Sequence, residues 1–170
     1  ALGAHGAPHD AGAALRAMFA ATDARLGDYE YEGCTATVLY VWRDAASGAR
    51  RVQCANAGDS TAFFYARGAA GGGGGGGGGI TQLSVDHKVT NGDERARIRA
   101  AGIELPDSKK RICGLAVSRA LGDHFAKSDE VRSGLIGEPY VHEPPLVARR
   151  GDFIVLASDG LWDVIDAAGA

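Results

Sequence analysis

The sequence predicts an α+β fold of layered, mostly antiparallel sheets. Runs rich in Val, Thr, aromatics and other apolar residues at 34–42, 52–57, 61–66 and 153–157 read as strands. The polar turn Arg43–Arg50, with Asp44, Ser47 and Gly48, joins the first two as a hairpin. Strands outnumber helices, and the helices fall between hairpins.

Residues 1–12 are Gly, Ala, His and Pro without periodicity and read as a loose leader. A helix follows from Ala13 to Leu26, with Leu15, Met18, Phe19, Thr22 and Leu26 on one face; Met18 and Phe19 are expected in the core. Cys34–Trp42 is apolar on both faces, as in a buried central strand. Val52–Ala57 and Thr61–Ala66 come next. Low-complexity glycine then occupies 69–79, with nine consecutive glycines at 71–79. No Gly-Lys-Ser/Thr closes that tract, so it reads as a flexible loop insertion and not a phosphate loop. Ile80–Val85 is a short strand. Asn91 caps a second helix, with Glu94 placed for a capping box and Gly102 for its stop. Arg95 and Arg99 share a face of it, and Lys109-Lys110-Arg111 lies beyond; both read as solvated basic surface. Ile112–Val117 is strand-like, Leu135–His142 irregular or strand, Phe153–Ala157 a buried strand. Asp163–Ala170 reads as the opening of a helix.

Length and charge exclude several functions. A chain of 170 residues suits one domain with a substantial core. With 18 basic and 21 acidic groups it carries no footprint for nucleic acid or an anionic membrane. No apolar run approaches the ~18 residues of a membrane span. Cys34, Cys54 and Cys113 are odd in number and far apart, which gives no disulfide framework. With no secretory signal in the first residues, the expected location is cytoplasmic or nuclear. The start at Ala1 and the stop after Asp163 raise the expectation that this is a piece of a longer protein.

Two strand ends could carry chemistry. Val52–Ala57 runs into Gly58-Asp59-Ser60, and Phe153–Ala157 into Ser158-Asp159-Gly160. Each puts a carboxylate where a buried strand ends, beside a glycine that lets the backbone approach closely. Such a carboxylate needs a cation or donors, and carboxylates converging from strand ends hold Mg²⁺ or Mn²⁺. Asp beside Gly is also ordinary turn chemistry. Gly58-Asp59-Ser60-Thr61-Ala62 nearly matches a nucleophile elbow, but no His follows Asp159 to complete the Ser, acid, His order. The five histidines form no close ligand pair, and His87 and His124 read as structural or surface residues.

Read in order, six blocks resemble the type 2C protein phosphatases, the metal-dependent serine/threonine phosphatases of the PPM family. They are Gly33-Cys34-Thr35-Ala36, Ala57-Gly58-Asp59-Ser60, Asp86-His87-Lys88, the run Gly114 to Asp123, Glu138-Pro139, and Ser158-Asp159-Gly160-Leu161-Trp162-Asp163. The resemblance runs from Ala13 to Ile165, and covers the central and C-terminal portion of the family pattern. It implies a β-sandwich flanked by helices, incomplete here, as a partial domain over 13–170. It also implies two core Mg²⁺ or Mn²⁺ ions and a weaker third, which activate water against phosphoserine or phosphothreonine in phosphorylated protein substrates. By this resemblance Asp159 is a metal ligand, with Asp163 beside it. Asp59 belongs to the weaker ion, expected to be the more exposed, and no catalytic group is implied beyond metal ligands. Arg119 and Asp123 match positions near a flap beside the site, in a structural or substrate-contacting role. The upstream Asp-Gly-His-Gly-Gly block, the upstream arginine and first acidic ligands, and the closing Asp-Asn block have no match. Smaller departures are Thr61 for Arg, Cys34 for Ser and Val89 for Pro. The alternative expectation is a non-catalytic, phosphatase-like binding or scaffolding domain.

Overall fold

The structure is a computed structural model and describes residues 10–68 and 79–169. The leader up to residue 9 and most of the glycine tract lie outside the described residues.

Helix α1 spans Ala11–Arg25, two residues earlier than its periodicity predicts, because the Asp10 side chain accepts the Ala13 N–H and caps it. Its Leu15 and Phe19 are buried, whereas Met18 is exposed, contrary to the core expectation. The apolar stripe here is one residue wide per turn, and Met18 falls outside it.

After the two-residue strand β1 (Gly33–Cys34) come β2 (Ala36–Arg43), β3 (Arg50–Ala57) and β4 (Thr61–Tyr65). β2 and β3 form the expected antiparallel hairpin, Ala36 opposite Ala57 and Arg43 opposite Arg50. The central strand is β3, not β2. Among the described residues β2 pairs only with β3, and its residues are half-buried or exposed. Being apolar on both faces predicted burial of β2 but carried no information about which of its edges is paired. β3 is buried on both faces from Val52 onward and takes β7 (Tyr140–Val141) and β8 (Leu146–Ala148) along its other edge.

β4 lies in a second antiparallel sheet between β5 (Ile80–Gln82) and β9 (Phe153–Ala157). Strand alternation explains the layers. Ala55 and Ala57 of β3 face Leu15 and Phe19 of α1, while Cys54 faces Ala62, Phe64 and Leu83 between the sheets. Phe63 and Tyr65 point the other way and pair with Trp162 and Phe153. This is a β-sandwich with a helix on the outer face of its first sheet.

A third cluster, Val89, Ile98, Leu105, Ile112, Ala120, Ala126 and Leu135, forms under α2 (Gly92–Ala100). Asn91 caps α2 as expected, accepting from the Asp93 and Glu94 N–H groups. The other half of the box fails, since the Glu94 side chain is taken by arginines. Arg95 and Arg99 are not free surface cations either: they donate to the Leu105 carbonyl, and Arg95 also to those of Val89, Lys109 and Pro106. They staple the loop after α2. Ile112–Val117 forms no strand, because Cys113 and Gly114 turn left-handed (φ 48° and 82°) and fold Ile112 back onto Leu115.

The remaining elements are short: β6 (Leu121–Gly122) paired with β1, α3 (His124–Lys127), and α4 (Asp159–Trp162). Periodicity did not reveal β6, α3 or β8, which are too short to show a period. The C-terminal helix starts four residues earlier than expected and ends at Trp162 in turns.

Candidate functional site

The second sheet sets the site by its register. Thr61 of β4 pairs antiparallel with Ala157 of β9, so the residues before Thr61 and after Ala157 leave the same end of the sheet. Asp59 and Asp159 are those residues, each two positions from the pair. Trp162 locks the arrangement: its Nε1–H reaches the Ala157 carbonyl at 3.0 Å and the Thr61 carbonyl at 3.2 Å, bridging both strands. Asp163 follows within the same turn, its N–H donating to the Asp159 carbonyl at 2.8 Å. Both Asp159 and Asp163 are exposed.

Asp59 is the more enclosed of the pair. Gly58 makes this possible. Its φ of +113° is left-handed, and a Cβ there would collide with Thr35. Thr37 Oγ1 donates to the Ser60 carbonyl at 2.6 Å, which pins the turn from the β2 side. Burial raises the Asp59 pKa; Lys88 lowers it, and the negative charges of Asp159 and Asp86 raise it further. Asp86 accepts from Thr61 Oγ1 at 2.9 Å. Asp86 and Lys88 thus belong to the neighbourhood of Asp59, and sequence reasoning missed both. Their signal was the tripeptide Asp86-His87-Lys88, noticed as a block but not read as charges.

Arg119 and Asp123 stand apart. Among the described residues no hydrogen bond or ion pair joins either to Asp59, Asp159 or Asp163. The Arg119 guanidinium binds Glu94 Oε1 at 2.6 Å and the Glu138 carbonyl at 3.0 Å. Glu94 Oε2 takes Arg97 at 2.8 Å and the Ser118 hydroxyl at 2.7 Å. Despite burial, these donors hold the Glu94 pKa down to about 2. Asp123 is left-handed at φ 52° and lies against Gly33, where any Cβ would strike its carboxylate. Burial raises its pKa, with Lys127 and His124 opposing.

Carboxylate oxygens are the hard donors that Mg²⁺ and Mn²⁺ take, and the negative charges of Asp159 and Asp86 act on Asp59 in the sense that a cation would oppose. Among the described residues, however, no three His, Cys, Asp or Glu side chains converge to hold an ion. The carboxylates of Asp59 and Asp159 have the right chemistry for such an ion.

Comparison with known proteins agrees with this architecture. Protein phosphatase 2C 70 of Arabidopsis thaliana is 43% identical over 158 residues, which is 92% of this chain and 25% of the relative. A probable protein phosphatase of Dictyostelium discoideum is 48% identical over 147 residues, 86% of this chain and 13% of that protein. The chain thus spans a quarter or less of the length of these curated relatives. The crystal structure of a serine-threonine phosphatase 2C from Toxoplasma gondii superposes with a TM-score of 0.65 at 23% identity, over 92% of this chain and 52% of that one. A C. elegans sex determining protein also gives 0.65, at 22% identity, over 91% and 35%. At such identities the two structures speak for the fold alone. The sequence profile described as Protein phosphatase 2C matches residues 7–170. The chain belongs to the protein phosphatase 2C family.

Proposed function

We propose that this chain is part of a catalytic domain that hydrolyses phosphoserine and phosphothreonine in proteins, in a Mg²⁺- or Mn²⁺-dependent reaction. The observation that carries the reading is the Thr61–Ala157 register, which delivers Asp59 and Asp159 to one end of the sandwich. Bound there, a divalent ion would lower the pKa of water and screen phosphoryl charge. Asp159 is assigned to a core ion with Asp163 beside it, and Asp59 to a weaker one. Lys88 offsets the charge of Asp59. Arg119, committed to Glu94, shapes the adjoining segment.

The absence of a three-residue cluster among the described residues keeps a second reading in play, a non-catalytic binding domain. It also supports the proposal that the 170-residue chain alone does not turn over. One experiment separates the readings: assay of the complete protein on phosphoserine and phosphothreonine peptides with Mn²⁺, Mg²⁺ or excess EDTA. Hydrolysis only with a metal supports the enzyme. Undiminished activity in EDTA, or none with either metal, counts against it.

A further inference from the structure

Gly58 and His87 exchange two hydrogen bonds in the interior. The Gly58 N–H donates to His87 Nδ1 at 3.2 Å, and the His87 N–H donates to the Gly58 carbonyl at 3.0 Å. His87 is 1% exposed. A ring nitrogen that accepts a hydrogen bond carries no proton, so the imidazole is the neutral Nε2–H tautomer. Burial, aided by the positive charge of Arg119, lowers its pKa to about 4, consistent with that form. The backbone that carries the ring is itself held from behind. Ser118 donates to the His87 carbonyl from its N–H at 2.8 Å, and its hydroxyl lies between that carbonyl (3.1 Å) and Glu94 Oε2 (2.7 Å). On its far side the Gly58 peptide rests against Thr35. Nothing in the proposed reaction uses this histidine, yet it grips the peptide from which Asp59 projects.

We propose that His87 is a positioning residue: by accepting the Gly58 N–H its ring fixes the Ala57–Gly58 peptide, and with it the left-handed Gly58 turn that sets the Asp59 carboxylate near Asp159 and Lys88. Its effect on metal binding rests on the functional reading above; its grip on the turn does not. The Glu94–Ser118 pair makes the same histidine the link between the Arg119 segment and the Asp59 turn.

The test uses the complete protein with two variants. His87→Asn keeps an acceptor near the place of Nδ1; His87→Leu fills the space with none. Mn²⁺ binding is titrated by calorimetry, and hydrogen exchange is followed at the Gly58 amide. Expected for His87→Leu is a loss of roughly tenfold in the weaker, Asp59-dependent Mn²⁺ affinity, within the range for groups that orient metal ligands. Gly58 exchange should quicken, the tight Mn²⁺ affinities should hold, and His87→Asn should restore most of the loss. Equal behaviour of the two variants would overturn the proposal. So would weakening of every Mn²⁺ affinity in step with lost thermal stability, the signature of a packing residue. If the unaltered protein binds no Mn²⁺ through Asp59, the functional reading fails instead. The exchange arm then decides: quicker Gly58 exchange in His87→Leu alone supports the role, equal exchange in all three proteins overturns it. Should His87→Leu not fold, a nitrogen-15 spectrum of the unaltered ring serves, where an unprotonated Nδ1 supports the proposal and a protonated one overturns it.

Discussion

Asp59 leaves a strand buried from Val52 onward through a turn gripped from two sides, whereas Asp159 opens a four-residue helix on the surface. One carboxylate is held by backbone conformation and a buried histidine; the other is held by a single tryptophan bridging two carbonyls. The enclosed carboxylate carries the cost of desolvation and the exposed one does not. Stability and chemistry should therefore respond differently at the two positions, and the following changes test that division.

The largest effect is expected at Asp159. Asp159→Asn in the complete protein should take turnover below detection, a loss well beyond the tenfold that ~1.4 kcal/mol of barrier represents. The side chain is exposed, so the melting temperature should hardly move. Kinetics and calorimetric melting on one preparation check both halves. Loss of the fold together with activity would mean that Asp159 is structural and the division is wrong.

Next is the buried ion cluster behind Asp59. Glu94→Ala leaves the guanidinium groups of Arg97 and Arg119 without their carboxylate, and removing one partner of a buried pair costs about 3–5 kcal/mol. Denaturant unfolding should show that loss, and none comparable for Asp159→Asn. The same cluster predicts an acid limit. Glu94 has a folded pKa of about 2 against the ordinary 4.5 of the unfolded chain, so its contribution is complete above 4.5 and is lost as pH falls towards 2. That amounts to roughly 3 kcal/mol across the window. His87 works in the same direction at higher pH: the unfolded ring gains a proton below 6.5, the folded one only near 4. Stability should therefore decline with acidity from about pH 6.5 downward, and urea midpoints measured across that range would show it. A profile that stays flat below pH 4.5 would mean that the folded protein does not hold the Glu94 pKa below its unfolded value.

Much of this division was legible in the sequence, and particular residues show why. Asp59 and Asp159 stood out because a carboxylate beside glycine at the end of an apolar strand is recognisable locally. The hairpin before Asp59 was legible for the same reason. What could not be read was pairing at long range. That Thr61 lies opposite Ala157 depends on about a hundred intervening residues, and that β3 rather than β2 is central depends on β7 and β8, two and three residues long. Glu94 fitted a capping box in every local respect, yet Ser118 and Arg119 took its side chain from far along the chain. Local signals gave the carboxylates; only the fold supplied their surroundings.

The smallest effects are the most discriminating. Burial raises the Asp59 pKa, so its charged form is disfavoured in the folded protein. Asp59→Asn removes that charge while keeping the shape, and should raise the melting temperature slightly while lowering turnover on peptides, with the tight metal ions retained. Trp162→Phe probes the other arm. It keeps an aromatic ring against Phe63 but loses the Nε1–H that serves the Thr61 and Ala157 carbonyls. Such a change should cost about 1 kcal/mol. Because that donor is what binds α4 to the strand ends, Trp162→Phe should weaken metal binding through Asp159 and spare binding through Asp59. Calorimetric Mn²⁺ titration on both variants reads the contrast directly. If Trp162→Phe disturbed the Asp59-dependent ion as much as the Asp159-dependent ones, the two arms would be one mechanical unit and not two.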